Sequence, residues 1–254
     1  MTPLAGKGVV VTRPAHQARA LASLIENAGG RTILFPAIEI RDVTDLGPFH
    51  RLVDRLDEFD LAIFISPNAA ERAMGLIEAQ RRLPDKLRVA AIGGGGVRAL
   101  AARGINGVIS PRGRYDSEAL LELPEVADAK RVVIFRGEGG REHLGEVLAA
   151  RGARVEYAEC YRRARPALDP APLLESWRHG AVHAVTVTSS EGLRNLCTMV
   201  GSAGTELFRR TPLFAPHPRI AEAARALEVR TVVVTGPGDE GLLDGLTAYF
   251  SESR

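Results

Sequence analysis

Arg13 and Arg136 each close a β-branched run that leads into an amphipathic helical pattern, and their separation of 123 positions recurs along almost the whole chain. The same offset pairs Val9 and Val10 with Val132 and Val133, Leu21 with Leu144, Gly29 with Gly152, Arg31 with Arg154, Ser66 with Ser189 and Asp116 with Asp239. These matches are sparse, but they fall at strand ends, on helix faces and at turn glycines, where a shared backbone restricts side-chain choice most. A unit of this length written twice predicts two domains, facing each other across a cleft, rather than a solenoid of short repeats. With 254 residues, each half is long enough to bury a core of its own.

Short apolar runs at 9–11, 62–65, 89–92, 108–109, 132–135, 184–187, 213–214 and 232–234 alternate with helical periodicities. That rhythm predicts an α/β protein with parallel sheets. After the first run Leu21, Leu24, Ile25 and Ala28 follow the i, i+3, i+4, i+7 pattern before Gly29 and Gly30; the copy has Leu144, Val147 and Leu148 before Gly152. Two offset-equivalent segments, Ile33–Ile40 and Val155–Arg163, break the rhythm. Read as extended strands that cross between domains, they make each domain from parts of both repeats, with boundaries near 37 and 164.

Charge excludes some partners. The 33 Lys and Arg nearly balance 31 Asp and Glu, for a formal +2, so no global field favours nucleic acid or an anionic membrane. The opening MTPLAGKGVVVTRP lacks the apolar stretch of a signal peptide, and no run approaches the ~20 apolar residues of a membrane span; a cytoplasmic location is expected. Cys160 and Cys197 read as small buried hydrophobes, and the six histidines show no metal-ligand spacing. No protein-bound metal is expected.

In open parallel sheets ligands bind at the carboxyl ends of the strands, where loops feed helix N-termini with free N–H groups. The candidate residues all fall in such turns: Arg13, Ser66 and Asn68, the four glycines 93–96, Arg136, Gly137 and Arg141 in RGEGGR, Ser189 and Ser190, and His217 and Arg219. Gly93, Gly94 and Gly95 expose backbone N–H groups to an anion or make a flexible turn. Neither glycine cluster satisfies the dinucleotide fingerprint, since Arg98 and Glu142 stand where its third glycine belongs. Ser66 and Ser189 suit N-caps, a position that can also hold a ligand carboxylate. The arginines offer guanidinium forks to carboxylates or phosphates. Tyr161, in the second crossing segment, faces the cleft if that segment is extended.

Taken in order, VVVTRP, FPAIEI, FDLAIFISPNAAERA, AIGGGGVRAL, SEALL, VVIFRGEGGREHLGEVLAARGARV, AECYRR, VTVTSSEGLRNL and HPRIAEAA resemble the uroporphyrinogen-III synthase family over essentially the whole chain. The resemblance implies two parallel-sheet α/β domains joined by a two-stranded β ladder: residues 1–36 plus 165–254 as a discontinuous domain, 41–155 as an inserted one, and 37–40 and 156–164 as the crossing strands, with a flexible hinge that lets the cleft close on its substrate. It implies a lyase that cyclises hydroxymethylbilane, a linear tetrapyrrole with eight carboxylates, inverting ring D with loss of water. It implies no cofactor and no metal, a monomer, and a transient contact with the upstream bilane-forming enzyme as its macromolecular partnership.

By the same resemblance Tyr161 matches the tyrosine that assists departure of the hydroxyl as a proton donor, while Ser66, Ser189 and the glycine turns match positions that line the cleft. Gly96 stands where many relatives have Thr, so a hydroxyl contact from that position is missing here. Loss of the hydroxyl gives an azafulvene that ring D attacks to form a spiro intermediate. Because such a bilane is intrinsically reactive, the protein's main task is positioning rather than strong acid–base catalysis. Two rivals remain open: a two-domain small-molecule binding module without turnover, and a nucleotide-sugar transferase, which the missing nucleotide turn weakens.

Overall fold

The computed structural model describes residues 2–140 and 142–252. The chain divides into two compact units, one formed by the residues up to Glu39 together with those from Ala164 onward, the other by Ile40–Arg163.

Along the chain, β1 (Gly8–Val11), α1 (Ala15–Asn27) and β2 (Arg31–Leu34) begin the first unit. The sheet strand β3 (Glu39–Arg41) leads into the second, with α2 (Gly47–Asp54), β4 (Leu61–Phe64), α3 (Pro67–Glu78), β5 (Arg88–Ala91), α4 (Gly94–Ala101), α5 (Ser117–Leu121), α6 (Pro124–Ala127), β6 (Arg131–Gly137), α7 (His143–Ala150) and β7 (Arg154–Ala164). The return to the first unit adds α8 (Ala171–Arg178), β8 (Ala184–Thr186), α9 (Ser190–Arg210), β9 (Leu213–Ala215), α10 (Pro218–Ala226), β10 (Val232–Val234) and α11 (Gly238–Glu252). No helix among the described residues is long and apolar enough to cross a membrane.

The first unit's sheet runs in the order β10-β9-β8-β1-β2, with parallel pairing throughout. The second runs β3-β7-β6-β4-β5, and its β7-β6-β4-β5 pairs are parallel. Central strands are therefore apolar on both faces, as parallel sheets covered by helices require. Alternation sorts their side chains. Ala62, Phe64, Val133 and Phe135 pack under α2, α3 and α4, whereas Leu61, Ile63, Val132 and Ile134 pack against α5, α6 and α7. In the first unit Val10 and Val185 face α8, α9 and α10, while Val9, Val11 and Ala184 face α1 and α11.

Two sequence expectations need correction. The segment 33–40 is not one extended strand: β2 stops at Leu34 and β3 begins only at Glu39. Pro36, without an N–H, interrupts the ladder, and the Phe35 and Ala37 N–H groups bond instead to Val11 and Thr12 carbonyls. The expected strand at 108–109 is a single parallel bridge between Ala90 and Ile109, ended by Pro111 two residues on.

Candidate functional site

The second unit brings Ser66, Gly137 and Tyr161 together. Ser66 ends the turn after β4 and caps α3, its Oγ accepting the Ala69 N–H at 3.1 Å. Strand β7 would by simple alternation turn Tyr161 to the same face as Tyr157 and Glu159. A β-bulge prevents this. Arg136 stands opposite Glu159, but Gly137 stands opposite Tyr161, so Cys160 is the extra residue. Cys160 and Tyr161 consequently point into the same core beneath α3, and the Tyr161 hydroxyl lies 3.2 Å from Ser66 Oγ. The sequence expectation that Tyr161 faces a cleft is corrected accordingly: its side chain is only 2 % exposed. Gly137 makes this placement possible, because a Cβ there would lie 2.7 Å from two Tyr161 ring atoms.

The opposite face of the same strands holds Arg136. It is 5 % exposed, its Nε and Nη2 both donate to Glu159 Oε1 at 3.3 Å, and its guanidinium stacks 4.3 Å over the Tyr157 ring. Burial pushes the Tyr157 phenol up, against the pull of the Arg136 guanidinium. In the first unit Arg13 is paired with Asp239 at the start of α11. Both of these substrate-binding candidates therefore also hold a carboxylate of the protein. Arg141 lies outside the described residues.

The four glycines do not form a loose loop. Gly93 is the N-cap of α4 and Gly94, Gly95 and Gly96 are its first turn. Two of them serve packing: a Cβ at Gly95 would meet Pro67 at 2.8 Å, and one at Gly96 would meet Ala91 Cβ at 3.2 Å. Gly93 lies under the half-exposed Tyr115. Asn68 sits, partly exposed, in the first turn of α3.

The remaining candidates mark helix N-termini of the first unit. Ser189 caps α9, its Oγ accepting the Gly192 N–H at 2.9 Å. Ser190 follows, with an enclosed Oγ that has no hydrogen-bond partner among the described residues. His217 caps α10 through Nδ1, which accepts the Arg219 N–H at 3.2 Å, and both residues are exposed. All these sites lie at the carboxyl ends of their sheets, where helix dipoles favour anions.

Among the described residues no cluster of three or more His, Cys, Asp or Glu is placed to hold a metal ion. Burial pushes the Cys160 thiol up to about 12, which leaves it inert as a nucleophile. A cavity of about 330 Å³ at the amino end of β5, between Leu83–Val89 and Gly104–Ile109, contains none of the candidates.

Sequence reasoning missed Glu159, Asp239, Tyr157 and Tyr115. Asp239 carried a signal, since it is the offset partner of Asp116; nothing local linked it to Arg13, 226 positions away.

Comparison with known proteins gives concordant results. The family model described as uroporphyrinogen-III synthase HemD matches residues 19–244. The uroporphyrinogen-III synthase of Escherichia coli (strain K12) is 32% identical over 244 residues, covering 92% of this chain and 97% of that protein. The one from Salmonella typhimurium (strain LT2) is 34% identical over 241 residues, with the same 92% and 97% coverage. Among solved structures, a mutant uroporphyrinogen III synthase from the extremely thermophilic bacterium Thermus thermophilus matches with a TM-score of 0.64 at 21% identity, covering 98% of this chain and 100% of that one. That likeness speaks for the α/β fold.

Proposed function

This chain belongs to the uroporphyrinogen-III synthase family, and on that footing we propose that it cyclises hydroxymethylbilane to uroporphyrinogen III, inverting ring D and releasing water as a hydro-lyase. The observation that carries the proposal is the family match over residues 19–244. The site residues support it: helix N-termini at the carboxyl ends of both sheets suit a substrate with many carboxylates, and the Tyr161 phenol beside Ser66 suits protonation of a departing hydroxyl. On this reading the two halves of the chain are copies of one ancestral unit, and each half contributes strands to both compact units. Their shared order supports that: offset by 123, β1, β2, β4, β5 and Ile109 correspond to β6, β7, β8, β9 and β10, and Gly8↔Arg31 in one sheet matches Arg131↔Arg154 in the other.

Positioning supplies most of the catalysis. The bilane closes unaided to the uninverted isomer, so the protein's contribution is to hold its ends in the one arrangement that leads through the spiro intermediate. Backbone N–H groups at the first turns of α3, α4, α9 and α10 and the exposed Arg219 take the carboxylates. Arg13 and Arg136, each engaged by a protein carboxylate, shape the turns that carry these groups. Tyr161 is the proton source for loss of water. The chain works as a cytoplasmic monomer with no cofactor, drawing its bilane from the enzyme that makes it.

The test is a coupled assay in which hydroxymethylbilane is generated in place and the oxidised porphyrin isomers are separated with and without the protein. Predominant isomer III is expected; isomer I alone from folded protein would leave a binding module in its place. In the same assay Tyr161→Phe should lower the rate about tenfold or more while changing the proportion of isomer III much less. Wild-type rates in that variant would remove Tyr161 from the mechanism.

A further inference from the structure

The phenol of Tyr161 is enclosed, and the turn that carries Ser66 is not. Tyr161 is 2 % exposed, held between the Gly137 backbone on one strand and the core beneath α3. A group shielded to that degree exchanges its proton with neighbours inside the protein. Ser66 is such a neighbour, with Oγ 3.2 Å from the phenol oxygen, and it stands partly exposed at the start of α3. A serine hydroxyl carries two acceptor lone pairs and one proton. One lone pair takes the Ala69 N–H; across the 3.2 Å contact either oxygen can donate, and when the phenol O–H is the donor the serine proton is available to whatever occupies the turn.

We infer that Ser66 is a catalytic residue, the group that hands the proton to the departing hydroxyl, and that Tyr161 acts through it as the proton reservoir. The inference rests on the donor reading of Tyr161 above. As the hydroxymethyl C–O bond breaks, its electron pair goes to oxygen, the Ser66 proton completes the leaving water, and the Tyr161 proton moves to Ser66 Oγ. The phenolate so formed is neutralised through the same serine by the pyrrole N–H proton of the cationic azafulvenium, which leaves neutral azafulvene and a reset pair. The sum is loss of one water.

The experiment measures kcat and KM, in the isomer-resolved assay, for wild type, Ser66→Ala, Ser66→Thr, Tyr161→Phe and the Ser66→Ala/Tyr161→Phe double variant, with rates also taken in mixtures of light and heavy water. Each loss variant should lower kcat about tenfold or more at little change in KM, and the double variant should be no slower than the slower single one. Ser66→Thr, which keeps a hydroxyl and a cap, should recover most of the Ser66→Ala loss. The wild-type rate should curve with deuterium fraction, as two protons in flight require, and become linear in Ser66→Ala. Losing one cap leaves the fold in place, which melting curves check. An active Ser66→Ala beside an impaired Tyr161→Phe would overturn the relay alone, as would multiplicative losses in the double variant. A fully active Tyr161→Phe would overturn the donor reading and the relay with it.

Discussion

Residue chemistry at this site depends on contacts of a few tenths of an ångström. Gly137 is a glycine because the Tyr161 ring occupies the space of its side chain, with a Cβ only 2.7 Å from two ring atoms. Gly137→Ala forces either the ring or strand β6 to move, an overpacking change that costs about 1–3 kcal/mol. A lowered midpoint in urea unfolding is expected; an unchanged one would show that the ring has room. Arg136 teaches a different lesson. Its position at a strand end made it a natural ligand for an anion, yet Glu159 and Tyr157 already surround it. The residue type was legible from sequence, but its occupancy was not, because a guanidinium takes the nearest carboxylate that the neighbouring strand supplies.

Elements meet the site through their ends. Ser66 and Ser189 are offset equivalents in sequence and do the same local work, each accepting the N–H three residues ahead, in Ala69 and Gly192. N-caps follow from short-range geometry, which is why both were readable in advance. Ser189→Ala should destabilise the protein by about 1 kcal/mol and Ser189→Asp should restore most of that, since aspartate also caps and complements the dipole. Chemical denaturation decides it, and equal stability of the alanine variant would mean that water replaces the cap at no cost. The glycine run at 93–96 was only half readable. Its lack of side chains was plain, but that it begins a helix packed against Pro67 depends on α3 and α4 lying side by side, beyond the reach of any local pattern.

At the scale of the whole molecule, one tie across the first unit's sheet titrates. The Gly8 N–H donates to His183 Nδ1 at 3.0 Å, joining β1 to the turn before β8, and this bond needs the neutral ring. Burial, with Lys7 nearby, lowers the His183 pKa from 6.5. The unfolded chain therefore binds this proton more readily than the folded one, and stability rises with pH through the interval between the two values. The His183 contribution should be complete above about pH 6.5 and shrink as pH falls below it. Melting temperatures of wild type and His183→Gln, compared from pH 8 to pH 5, should show a shallower acid decline in the variant; parallel curves would assign that decline to other groups. By itself the amino-acid sequence determined the α/β rhythm, the positions of most strands and helices, the caps and the turns where candidate residues cluster. These follow from periodicity, proline, glycine and side-chain reach over a few residues. Only the tertiary structure decided which face Tyr161 takes and which carboxylates hold Arg13 and Arg136. The bulge at Cys160 is a mismatch between two strands, and Arg13 meets Asp239 across 226 positions. Such facts belong to pairs of segments, and the order in which strands lie side by side in a sheet is what brings those pairs together.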